Sequence, residues 1–258
     1  MTAAARTFAS RRQPGFAELG IVILLYAAYE LLRGLGEASV TVARSHAADI
    51  VALERYVNVF VEQAIQDWAS GLPALPTLLG TFYVVSHFGL TTVALVWMHR
   101  SHQAQFPLVR NTLVLATALS LVGYILYPAA PPRLSGHGFA DTVSSHTHVN
   151  LSSDLLGSLY NPIAAVPSLH FGYALIVGVA LAQLASRRWL RRLGAAYPAA
   201  MLLIIVATGN HFFFDAAAGA LVVAAGWIAA AYLRAPAVTE QVVELRRHEP
   251  EPVRALAA

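Results

Sequence analysis

The chain has 258 residues, of which 57% are hydrophobic and only 12% charged, with a formal net charge of +3. A soluble domain carries roughly 25% charged residues, so this composition excludes an ordinary water-exposed globule, and the absence of cysteine excludes disulfides and thiolate chemistry. All 17 basic residues are arginines, and they group at the ends of apolar runs, which argues for membrane topology and against a nucleic-acid partner.

Six apolar runs follow one another along the chain, at residues 16–35, 77–98, 111–127, 168–185, 193–208 and 212–233. A span needs about 20 residues, so the pattern predicts an all-α integral membrane protein, a bundle of six transmembrane helices. The first run follows Arg11 and Arg12, carries Glu18 and Glu30 and lacks a small-residue cleavage site, so it reads as a retained span. Between the first two runs, residues 47–68 place Ile50, Leu53, Val57, Val61, Ala64, Ile65 and Trp68 at helical spacing opposite Asp49, Glu54, Glu62, Gln66 and Asp67. That pattern predicts one amphipathic helix lying on the outer leaflet. The second run carries Tyr83 and His87 four residues apart, able to line a pocket from its outer half, although a lone membrane histidine more often packs helices. The fifth run is slightly short, and Arg191 and Arg192 are expected to snorkel at its entrance. No internal repeat is evident. Residues 1–234 read as one membrane domain, and 235–258 as a charged cytoplasmic tail.

Arginine placement sets the orientation. With the N-terminus in the cytoplasm, thirteen arginines lie inside and only Arg33, Arg44, Arg55 and Arg133 outside, which fixes both termini as cytoplasmic. The expected setting is a bacterial plasma membrane. The long loop 128–166 then faces outward. Its His137, His146 and His148 have a spacing too weak to predict a metal site, and no metal or other cofactor is expected.

Three segments with unusual polar residues fall on that outer side: 127–133 (Tyr-Pro-Ala-Ala-Pro-Pro-Arg), 161–170 (ending Pro-Ser-Leu-His) and 208–215 (Thr-Gly-Asn-His-Phe-Phe-Phe-Asp). His211 and Asp215 are one helical turn apart, so the carboxylate can orient the ring and leave its other nitrogen nucleophilic. An aspartate in a span is costly and usually functional. His170 starts another helix, whose N-terminal amides suit a phosphate, and Arg133 offers a planar donor fork. Ser168 either caps that helix or touches phosphate; Asn210 either caps the last helix or binds substrate beside the site; Tyr127, at the rim, is a further candidate substrate contact. Two histidines, one aspartate and one arginine suit phosphoryl transfer.

Pro167-Ser168-Leu169-His170 and His211-Phe212-Phe213-Phe214-Asp215 resemble the second and third signature motifs of the type 2 phosphatidic acid phosphatase superfamily. The Pro-Ser-Leu-His form, with Asn161 upstream, is similar to the branch containing inositol phosphorylceramide synthase. The resemblance implies a metal-independent reaction through a phosphohistidine: His211 attacks phosphorus, Asp215 orients it, and His170 protonates the leaving oxygen and then activates the acceptor. The chain departs from the phosphatases of the superfamily in having Leu169 where they have Gly, Ile204 and Ile205 in the region of their Ser-Arg, and Pro131-Pro132-Arg133 in place of their first motif. These departures favour the synthase-like branch.

The expectation is therefore a lipid phosphotransferase, with a membrane lipid phosphate as substrate and an alcohol such as inositol as acceptor. Hydrolysis of a lipid phosphate or polyprenyl pyrophosphate, with water as acceptor, is the alternative. A lipid-binding or transport protein that keeps the fold without turnover is the reading from another class.

Overall fold

A computed structural model describes residues 40–147 and 163–234, with Gly20, Leu24 and Ala27 as helical positions earlier in the chain. Apart from those three positions the expected first span lies outside the described residues, as do the tail after Arg234, His148, Asn161 and Pro162. Among the described residues every regular element is helical, and the only β-type pairing is an isolated bridge between Ala129 and Ala164.

Among the described residues, four helices are long and apolar enough to cross a membrane: 75–101, 106–126, 188–207 and 213–234. The first consists of α3 (Leu75–Val85), a π-helical turn (Ser86–Leu90) and α4 (Thr91–Ser101). The others are α5 (Phe106–Leu126), α9 (Arg188–Ala207) and α10 (Phe213–Arg234). At 1.5 Å per residue, a 20-residue helix covers about 30 Å, the thickness of the hydrocarbon layer. The 168–185 run forms a shorter apolar helix, α8 (Leu169–Leu184, 16 residues). Its start is set by residues 163–168, which run as irregular backbone. That segment is satisfied by protein, through Ala165 N–H to Ala129 O (3.2 Å) and Ser168 N–H to Asp215 O (2.9 Å), as buried irregular backbone must be in a membrane.

The helices approach closely where side chains are absent. A Cβ on Gly178 of α8 would sit 2.7 Å from Gly194 O of α9, and one on Gly226 of α10 would sit 3.0 Å from Thr112 O of α5. Small residues at such crossings let backbones touch, the usual route to helix association in lipid. The fifth run begins earlier than its apolar residues suggested, and α9 includes Arg188, Arg191 and Arg192. Arg191 Nε donates to Ala182 O in the last turn of α8 (2.8 Å), so that arginine closes a helix end.

The predicted amphipathic helix differs from the structure in two ways. It is two helices, α1 (Val40–Tyr56) and α2 (Glu62–Ser70), broken at Asn58, whose φ is +60°. Its polar residues also do not share a solvated face: Glu54, Glu62 and Gln66 are buried, whereas Leu53, Val57, Val61 and Trp68 are exposed. The physical reason is hydrogen bonding. Gln66 exchanges two bonds with the backbone of Ala140 (3.0 and 2.8 Å), and the two glutamates receive amides from the start of α10. Periodicity alone assigns polar groups to water; here the bundle supplies their partners.

Two short helices, α6 (Pro132–Ser135) and α7 (Thr142–His146), lie in the long loop. They close the same end of the bundle as α1 and α2, with Ala130 N–H bonded to Ala43 O and Arg133 N–H to Gly209 O (both 2.9 Å). Arg234, Arg100, Arg110 and the α9 arginines belong to the opposite end, where an Arg234 NH2 nitrogen donates to Ala104 O (2.9 Å).

Candidate active site

The start of α10 follows a tight turn at Gly209, whose φ is +67°. A Cβ there would meet Gln66 Nε2 at 2.6 Å and Ala140 O at 2.9 Å, so glycine is required for both conformation and space. The turn is tied to the end of α9, with the amides of Asn210 and His211 both reaching Ile205 O (3.0 and 3.1 Å). This holds His211 at the head of α10, one turn before Asp215.

Asp215 is fully buried and His211 nearly so. Asp215 Oδ2 accepts from His211 Nδ1 (3.2 Å) and from Phe212 N–H (2.9 Å). With Nδ1–H donating to the carboxylate, Nε2 of His211 keeps its lone pair. A second element fixes the pair, because the main-chain carbonyl of Asp215 accepts the amide of Ser168. The head of α8 is therefore locked to the head of α10.

That lock places His170 beside His211, with ring centroids 5.7 Å apart. His170 is sandwiched between Tyr83, stacked at 4.1 Å, and His87 at 4.2 Å. His87 stacks in turn on Tyr173 (4.8 Å, interplanar angle 3°), and the Tyr173 hydroxyl and Thr117 Oγ1 are hydrogen bonded at 2.7 Å. The π-helical turn Ser86–Leu90 carries His87 at this point; such turns occur mostly as single insertions in α-helices, frequently at functional sites. His87 thus packs between the rings of His170 and Tyr173. The Nδ1 of His87 and Oδ1 of Asn210 are buried polar atoms without a partner among the described residues, and a buried polar group left so calls for an explanation such as a catalytic role or a water.

Arg133 approaches from α6. Its side chain is only 4% exposed, and Nε lies 3.7 Å from Asp141 Oδ2, a partner that the sequence reading did not name. Ser168 is a helix cap, accepting from Phe171 N–H at 3.4 Å. Asn210 does not cap α10: its amide nitrogen turns back to Thr208 Oγ1 (2.9 Å). Tyr127 is engaged elsewhere, with its ring stacked on His46 at 4.2 Å and its hydroxyl donating to His46 O (3.2 Å). Phe212 is fully buried in the core beside Phe139. In the outer loop, His137 pairs with Ser135 and His146 with Ser145 and Thr142.

The cap of α10 was missed in the sequence. Glu62 Oε1 accepts from Phe213 N–H (3.1 Å) and Glu54 Oε1 from Phe214 N–H (2.7 Å). Together with Asp215 on Phe212, three carboxyl groups take three successive amides of one helix N-terminus, where negative charge is favoured. Buried Glu54 has its pKa pushed from 4.5 up to about 9, by desolvation first and then by a hydrogen bond with Glu62. The only sequence signal was two glutamates on one face of a supposed surface helix, and nothing local pointed to a helix more than 150 residues away.

A family model described as the PAP2 superfamily matches residues 48–229, which covers both histidine motifs and every helix from α2 to α9. The chain belongs to this superfamily, the type 2 phosphatidic acid phosphatases, whose members are generally metal-independent phosphatases and phosphotransferases. None of the curated proteins and none of the solved structures matches the chain.

Proposed function

Proceeding from membership of the PAP2 superfamily, we propose that this chain is a lipid phosphotransferase working through a phosphohistidine on His211. The observation that carries the reading is the pairing of His211, fixed by Asp215, with His170 at 5.7 Å between ring centroids. One phosphoryl group placed between the rings can touch both. His211 Nε2 forms a bond to phosphorus as the bond to the leaving oxygen breaks, and His170 gives its proton to that oxygen. In the second half His170 takes a proton from the acceptor hydroxyl, whose oxygen bonds to phosphorus as the P–N bond breaks. Arg133 and the opening amides of α8 supply the anion contacts. The amides that open α10 cannot do so, because carboxyl oxygens already occupy them.

The proposed setting is a six-span protein with both termini in the cytoplasm and the site under the extracytoplasmic headgroups. The arginines at the bundle end remote from His211 support that orientation. At that depth a lipid phosphate reaches the histidines while its tail stays in the bilayer. Leu169 in the Pro-Ser-Leu-His motif, as in the inositol phosphorylceramide synthase branch, favours an alcohol such as inositol as acceptor, with hydrolysis as the second reading.

The test is to incubate purified protein with radiolabelled lipid phosphates, with and without inositol, beside His211→Ala. Label in a new inositol product, abolished in the variant, is the expected result. Free phosphate alone would replace transfer by hydrolysis. Lipid movement across proteoliposomes that survives His211→Ala would replace catalysis by transport.

A further inference from the structure

Glu54 and Glu62 have no place in the reaction just described, yet both are buried, at 2% and 0% exposure. They come from different helices, α1 and α2, on either side of the break at Asn58. Each uses one oxygen, Oε1, to hold an amide in the first turn of α10, Phe214 and Phe213 respectively. The other oxygens, Oε2 of both residues, are buried with no hydrogen-bond partner among the described residues. Burial first, and the Glu62 carboxyl beside it, raise the pKa of Glu54 to about 9, so Glu54 holds its proton at neutral pH.

We propose that Glu54 and Glu62 form a carboxyl clamp that positions His211 and Asp215 for reaction. These are positioning residues: they touch the backbone that carries the catalytic groups and make no contact with the reacting atoms. The clamp fixes Phe213 and Phe214 immediately after His211, while Asp215 fixes Phe212. With three consecutive amides held, the rotation of the His211 ring about the axis of α10 is set from the α1–α2 side. Loss of the Glu54 proton adds a negative charge beside the Glu62 and Asp215 carboxyl groups, and the clamp opens.

This inference deepens the reading of the site as a phosphohistidine centre and rests on it for its kinetic arm. The ionisable groups on elements packed against the pair are Asp215 with its partner His211, and Arg133 with its partner Asp141 on α6 and the loop. From α3 and α9 they are Tyr83, Tyr197 and the α9 arginines at the far end; α1 and α2 themselves add Arg44, His46, Asp49, Arg55, Tyr56 and Asp67. Glu54 keeps its proton up to about pH 9, so the clamp is closed below that value and lost above it.

The experiment uses the full chain in detergent, with Glu54→Gln, Glu54→Ala and Glu62→Ala. A glutamine at 54 keeps the acceptor for Phe214 N–H and cannot ionise. Both alanine variants should lose roughly 10- to 100-fold in kcat, the scale of a misplaced catalytic group, with KM within about two-fold on the same reasoning. The wild type should lose kcat as pH rises through about 9, and Glu54→Gln should keep most of kcat and lack that alkaline decline. Hydrogen exchange read by mass spectrometry provides an arm independent of turnover: amides 212–214 should exchange faster in the alanine variants and at the wild-type rate in Glu54→Gln. Wild-type kcat in the alanine variants, or an unchanged alkaline decline in Glu54→Gln, overturns the clamp; the second result decides even if the alanine variants fail to fold. A wild-type protein without turnover on any lipid phosphate refutes the functional reading, and the exchange arm then upholds or overturns the clamp by itself.

Discussion

His211 and Asp215 show how much chemistry a single helical turn can encode. The carboxylate is buried and accepts both the ring N–H and the Phe212 amide, so it fixes one tautomer of the imidazole. Asp215→Asn keeps the size of the side chain but presents either a donor or a weaker acceptor to Nδ1. We expect kcat to fall by roughly 10³- to 10⁴-fold, by comparison with the orienting aspartate of serine proteases, with little change in KM. Single-turnover labelling of the phosphoenzyme checks this, and a variant that forms phosphoenzyme at the wild-type rate would remove Asp215 from the mechanism. His170 has a different environment: its ring lies between Tyr83 and His87, so its position depends on a neighbouring span rather than on its own helix.

At the level of elements, the contact between the heads of α8 and α10 decides whether the two histidines meet. Gly219, one turn after Asp215 in α10, faces the backbone of Ser168, and a Cβ there would collide with Ser168 O. That oxygen accepts the Gly172 amide while the Ser168 amide is held by Asp215 O, so the residue is fixed on both sides. Gly219→Ala is therefore expected to separate the helices, lowering stability by about 1–3 kcal/mol as overpacking does and cutting turnover disproportionately. Gly20→Ala, with nothing within 4 Å of its Cβ, is the control. Equal activity and equal melting temperature in the two variants would show that this contact does not set the site. The π-helical turn plays a similar part on the second span, carrying His87 into the cluster while α4 continues the same helix.

For the whole molecule, the described helices form a bundle with its polar machinery at one end and its arginines at the other. The proposed orientation can be read directly, because the chain has no cysteine to remove. A single cysteine at His137, in the loop on the histidine end, should react with a membrane-impermeant maleimide added to intact cells. One at Gln103, between α4 and α5, should react only after permeabilisation. The reverse pattern would put the active site in the cytoplasm and retire the positive-inside assignment.

The apolar runs and the two histidine motifs determined the membrane-helical class and the residues worth examining, since both signals are local: burial in lipid needs a continuous apolar stretch, and His211 with Asp215 needs only one turn of helix. Local order also placed α8 and α10 within one residue of their observed limits. Tertiary structure alone decided what depends on distant partners. It turned Glu54, Glu62 and Gln66 inward where periodicity had sent them outward, gave Arg133 its Asp141, drew Tyr127 to His46, and joined His87 to His170. A polar side chain takes its lowest free energy either in water or against a buried donor, and the donors for these residues belong to segments that only folding brings within reach.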